Sequence, residues 1–132
     1  MRKNKSEIIK EWFEKADNDL LSARRLMEIP PPILDTACFH CQQVVEKYLK
    51  AYLIYQGKDI IKTHDVTLLL KSCSEFDYGF ESINMKNLED FSVDIRYPDD
   101  ALIPSLEEAK EYLQIAEDIK ELVRKKIDLG SL

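Results

Sequence analysis

The stretch Leu34–Gly57, LDTACFHCQQVVEKYLKAYLIYQG, decides the fold. On a helical wheel at about 100° per residue, Ala37, Cys38, Cys41, Val44, Val45, Tyr48, Leu49, Ala51, Tyr52, Leu53 and Tyr55 fill one arc of roughly 200°, broken only by Gln42. A helix lying on a protein surface shows an apolar stripe of about 100°. One that is apolar over more than half its circumference has to be covered on several sides, so the rest of the chain is expected to wrap it. The remaining face is compact and polar, formed by His40, Gln42, Gln43, Glu46, Lys47 and Lys50. The stretch therefore reads as a central helix with one wet strip, ended by Gly57 as its cap.

Outward from this helix, the flanking segments are helical too. Before it, Ser6–Glu28 carries Ile9, Trp12, Phe13, Ala16, Leu20, Ala23 and Met27 at three- and four-residue steps, with Asn4 and Glu7 placed to cap its start. Pro30, Pro31 and Pro32 stop it and make a stiff corner. After it, Thr63 or Asp65 can cap a short helix holding Val66, Leu69, Leu70 and Cys73. The segment SEFDYGFES reads as irregular, with Gly79 as its break. Asn84 or Asn87 opens a second short helix through Leu88, Phe91 and Ile95, which Pro98 stops. Ser105 and Glu108 then form a capping box for a last long helix burying Leu106, Ala109, Leu113, Ala116, Ile119, Leu122 and Val123. The expected fold is all-α, an up-and-down antiparallel four-helix bundle with one extra short helix, in a single domain over residues 1–132.

Composition narrows the function classes. With 45% hydrophobic and 33% charged residues the chain is expected to fold around a real core, and only three glycines speak against a turn-rich β fold. A formal net charge of −6 argues against loose, charge-driven nucleic-acid binding and leaves room only for a local basic patch. Three cysteines and the absence of a secretory leader suggest a reducing cytoplasm, and no apolar run reaches the length of a membrane span.

The residues that carry chemistry are few. Cys38 and Cys41 have the spacing of a redox pair or half a zinc site, but they lie on the apolar arc and read as small buried thiols. His40 reads as solvent-facing or hydrogen-bonded rather than catalytic, and His64 as a side chain that caps or locks a loop. Gln43, Glu46, Lys47 and Lys50 are either a solvated strip with a Glu46–Lys50 pair or the lining of a groove between neighbours. Arg96 and Tyr97 stand at a corner fixed by Pro98, where a guanidinium serves the end of a helix or grips a phosphate. Glycine-rich phosphate loops, GxSxG, HExxH and EF-hand loops do not occur.

With these residues in view, the sequence resembles the HEPN (higher eukaryotes and prokaryotes nucleotide-binding) domain family, in its prokaryotic small-protein branch with an RYP motif. Trp12, Ala16, Asp19, Leu20 and Ala23 fit the opening pattern, and Gln42, Gln43, Glu46, Lys47, Lys50 and Ala51 fit the most recognisable stretch. His64, Leu68 and Leu69, then Arg96-Tyr97-Pro98, then Glu108-Ala109 follow in order. The resemblance implies a four-helix bundle, usually a homodimer, encoded beside a minimal nucleotidyltransferase that it serves by binding nucleotide or substrate, or as one half of a toxin–antitoxin pair. Many members are metal-independent ribonucleases with an arginine and a histidine a few residues apart. Here the positions after Arg96 that should hold histidine are Ala101, Leu102 and Ile103. Losing a general acid or base removes about 10²–10⁴-fold in rate. The transferase's own signature, paired aspartates behind a Gly-Ser turn, is absent as well, since Asp99 and Asp100 are adjacent.

The expectation is thus a cytoplasmic binding module without catalytic residues, metal or cofactor of its own. Arg96 would hold a nucleotide or RNA phosphate, Tyr97 would stack or donate a hydrogen bond, and Gln43, Glu46, Lys47, Lys50 and His40 would line the groove. The alternatives are a divergent ribonuclease pairing Arg96 with His40 or Tyr97, and a purely structural dimerising module.

Overall fold

The structure is a computed structural model that describes residues 3–59, 61–92 and 103–132. Its regular elements are α1 (Lys5–Glu28), α2 (Leu34–Tyr55), α3 (Val66–Ser74) and α4 (Leu106–Lys126), with short 3₁₀ turns at Tyr78–Ser82, Leu88–Phe91 and Leu129–Ser131. Among the described residues there is no strand, and the helices pack on one another as a bundle. None of the described helices is long and apolar enough to cross a membrane.

Helix α2 is the hub. Tyr48, Leu49, Ala37, Cys38, Cys41, Val44, Val45 and Ala51 are fully buried along it, as the width of its apolar arc requires. Helix α1 offers Ile9, Phe13, Ala16, Leu20 and Ala23 to the core, and α4 offers Ala109, Tyr112, Ile115, Ala116, Ile119 and Val123. Contacts of Trp12 with Lys50 and of Asp19 with His40 and Lys47 show α1 and α2 antiparallel. Pairs Arg24–Glu117 and Asp17–Arg124 likewise set α4 antiparallel to α1.

The local signals act where the sequence put them. Asn4 accepts from the Glu7 amide, Asp65 from the Leu68 amide, and Ser105 and Glu108 close a reciprocal capping box. Gly57, at φ 85°, ends α2 in a Schellman arrangement, its amide donating to Ile54 O and that of Lys58 to Leu53 O.

Four expectations need correcting. The wet strip of α2 is not wet, because Gln42, Glu46 and Lys50 are 0%, 4% and 7% exposed, while His40, Gln43 and Lys47 are half-buried. Gln42, which interrupts the apolar arc on the wheel, is interior like its neighbours. The segment around Gly79 is not irregular throughout: Asp77 accepts from the Gly79 amide and starts a 3₁₀ turn that drives Phe80 into the core, 4.7 Å from the Tyr52 ring. In α4, Leu106 is exposed and Leu113 and Leu122 only half-buried, while Tyr112 and Ile115 are core residues. The second short helix is a 3₁₀ turn through Leu88 and Phe91, both buried; Ile95 lies outside the described residues.

Candidate functional site

Two polar clusters share the α2 strip. The inner one centres on Glu46. Its Oε2 accepts from Lys50 Nζ at 3.1 Å, and its Oε1 faces His64 Nδ1 at 2.9 Å and Gln42 Nε2 at 3.4 Å. Gln42 Nε2 also donates to the His64 main-chain oxygen at 2.8 Å, and Gln43 Nε2 donates to Gln42 Oε1 at 2.8 Å. The Lys50 ammonium stands 5.9 Å from the Trp12 ring centroid. Burying this pair is tolerable because no buried side-chain nitrogen or oxygen is left unpartnered among the described residues. The cluster ties α1, α2 and the entry to α3 together. It turns its charges inward on one another.

The outer cluster lies on the α1/α2 seam. Asp19 of α1 takes His40 Nδ1 on Oδ1 at 2.8 Å and the Lys47 ammonium on Oδ2. An ionised carboxylate only accepts, so the proton sits on Nδ1 of His40 and Nε2 is the ring nitrogen left over. Their side chains keep partial exposure, 25% for His40 and 19% for Lys47. Phe39 stands edge-on to the His40 ring with centroids 5.3 Å apart. This seam presents a fixed imidazole and a fixed ammonium side by side.

The candidate residues therefore divide. His40 and Lys47 come together on the partly exposed seam, while half-buried Gln43 bonds to Gln42 of the inner cluster. Glu46 and Lys50 are brought into the interior lock with Gln42 and His64. Arg96 and Tyr97 lie outside the described residues, as do Asp99 and Asp100. His64 locks a loop, through both its ring and its carbonyl.

A third cluster carries no signal in the sequence. Asp17 on the opposite flank of α1 receives the Tyr48 hydroxyl of α2, Lys120 Nζ at 3.0 Å and Arg124 Nη2 at 2.8 Å. Burial pushes the Asp17 carboxyl up, but the Tyr48 hydroxyl and the two cations outweigh it and the net shift is downward. Tyr48 sits on the apolar arc of the wheel, which says nothing about where its hydroxyl ends.

The cysteines are interior. Burial raises the Cys38 and Cys73 thiols to about 12 and Cys41 further, which keeps them protonated and unreactive, and Cys73 Sγ donates to Leu49 O at 3.6 Å. Among the described residues no group of His, Cys, Asp and Glu side chains is arranged to hold a metal ion.

The family model for the HEPN domain matches residues 9–126, a range that spans the polar residues converging on α2 from α1 and from the α3 entry. The chain belongs to the HEPN family. In this HEPN domain Trp12 and His64 meet the inner cluster and Asp19 the outer one, both on α2. The match covers most of the chain and makes it a member of a nucleotide- and RNA-related domain family. Searches of the curated proteins and of the solved structures gave no match.

Proposed function

We propose that this HEPN domain binds a nucleotide or RNA phosphate on its α1/α2 seam and serves a separately encoded minimal nucleotidyltransferase, as a homodimer in the cytoplasm and in a toxin–antitoxin setting. The observation that carries the reading is Asp19 holding His40 and Lys47 side by side at partial exposure. A preorganised ammonium makes a charge-assisted contact to a phosphate oxygen at little ordering cost, and an imidazole beside it adds a donor when protonated. Half-buried Gln43 lies one turn from Lys47 on α2 and is anchored to Gln42. Arg96 and Tyr97 are the sequence's further phosphate contacts. Glu46 and Lys50 support the seam from within instead of touching the ligand.

The same geometry favours one second reading. An imidazole oriented through Nδ1 by a carboxylate is poised to act as a general base through Nε2, so a divergent ribonuclease would use His40.

A thermal-shift screen of the full chain against nucleotides and a short RNA, in EDTA and then with magnesium, tests both. Ligand at about 100 times its Kd stabilises the native state by about 2.7 kcal/mol, a readily measured rise in Tm. The expected result is a rise with RNA recovered intact, diminished in Lys47→Ala and Arg96→Ala. Cut RNA in EDTA would transfer the assignment to the ribonuclease, and no rise with any ligand would contradict the binding reading.

A further inference from the structure

The other flank of α1 bears a hollow that the seam does not use. It is a shallow hollow of about 460 Å³, widely open to solvent, between Arg24 of α1 and Glu117, Lys120, Glu121, Arg124 and Lys125 of α4. That volume falls in the range of about 300–1,000 Å³ typical of small-molecule sites. Two of its ion pairs are balanced, Arg24 with Glu117 and Lys125 with Glu121, each at 3.0 Å. The third is not. Asp17 alone answers both Lys120 and Arg124, so among the described residues two converging cations share one carboxylate. In a chain of formal net charge −6, this is a local positive excess in a concave place.

Arg124 is also fixed in position. Its guanidinium carbon lies 4.3 Å from the Phe13 ring centroid, its Nε donates to the Tyr48 hydroxyl at 3.3 Å and its Nη2 to Asp17. These contacts occupy one edge of the fork and leave the Nη1 donors for a ligand. We propose that the hollow binds the oligophosphate group of a small molecule, with Lys120 and Arg124 taking phosphate oxygens. A multiply charged anion with several oxygens suits two cations that share one counter-charge. The site is separate from the seam, since Asp17 and Asp19 lie about 160° apart around α1.

The test titrates the full chain with inorganic tripolyphosphate and follows backbone amide NMR shifts. The expected result is saturable shifts over residues 117–125 and around Asp17 and Arg24. Lys120→Gln should weaken binding about tenfold, in line with losing one charge-assisted hydrogen bond, while Lys120→Arg and Lys47→Ala retain it. Dispersed spectra of each variant show that it is folded. Absence of saturation at millimolar tripolyphosphate, equal affinity in Lys120→Gln, or shifts confined to residues around His40 and Lys47 would overturn the proposal. A parallel titration with ATP assigns the source. Tighter binding than tripolyphosphate supports a nucleotide, and equal binding supports recognition of the phosphate chain alone.

Discussion

Replacing Glu46 by alanine is expected to destabilise the protein by about 3–5 kcal/mol, the cost of breaking a buried ion pair from one side. The magnitude follows from what stays behind. Lys50 has a side chain only 8% exposed, and among the described residues Glu46 is the carboxylate that neutralises it. The Trp12 ring at 5.9 Å contributes a quadrupole, which does not replace a full counter-charge. His64, whose side chain is 69% exposed, can turn to water, so the deficit falls on Lys50. Removing both charges should behave differently. Glu46→Leu with Lys50→Met keeps the volume, spares both desolvation penalties, and is expected to recover most of the loss. Guanidinium denaturation of the single and double variants checks this. A Glu46→Ala cost below about 1 kcal/mol, the value of an exposed pair, would mean that the cluster is wet after all.

Tyr48→Ala is expected to cost a similar amount, about 3–5 kcal/mol, as for a large buried aromatic. Tyr48 is fully buried, its ring 5.2 Å from that of Phe13, and its hydroxyl donates to Asp17 and accepts from Arg124. Burial, with Asp17 beside it, pushes the phenol well above its ordinary range, so it stays a donor near neutral pH. Tyr48→Phe keeps the packing and removes only the hydroxyl, and should cost about 1–2 kcal/mol. Equilibrium unfolding of the two variants separates packing from hydrogen bonding. Equal costs would mean that the hydroxyl, not the ring, holds α1, α2 and α4 together.

These two residues show what the sequence could and could not convey. The width of the α2 apolar arc identified the hub, and the proline corner, the Asn4 cap and the Ser105–Glu108 box marked helix ends correctly, because each depends on residues close together in the chain. The fate of the polar strip depends on residues far away. Asp19 lies 28 positions before Lys47 and His64 18 positions after Glu46, and nothing local announces either contact. A wheel also cannot tell a polar residue facing water from one facing a buried partner. Glu46 and Lys50 looked like an exposed i, i+4 pair worth tenths of a kcal/mol, and Gln42 like an interruption. The resemblance drew attention to Trp12, Asp19, Gln42, Glu46, Lys47, Lys50 and His64 without saying which point inward. The Asp17–Tyr48–Arg124 cluster was invisible because Tyr48 reads as apolar and Arg124 lies 107 positions from Asp17.

In the function we propose, Lys47 and His40 on the α1/α2 seam contact the ligand while Glu46 and Lys50 only support them. Its most direct test is the equilibrium binding of a fluorescently labelled short RNA, measured by anisotropy in EDTA. The protein is compared with Lys47→Ala and with the charge-free Glu46→Leu/Lys50→Met pair. The expected result is saturable binding, weakened about tenfold or more by Lys47→Ala and largely kept by the double variant. Binding that survives Lys47→Ala unchanged but is lost in the double variant would contradict it and put the phosphate on the inner cluster.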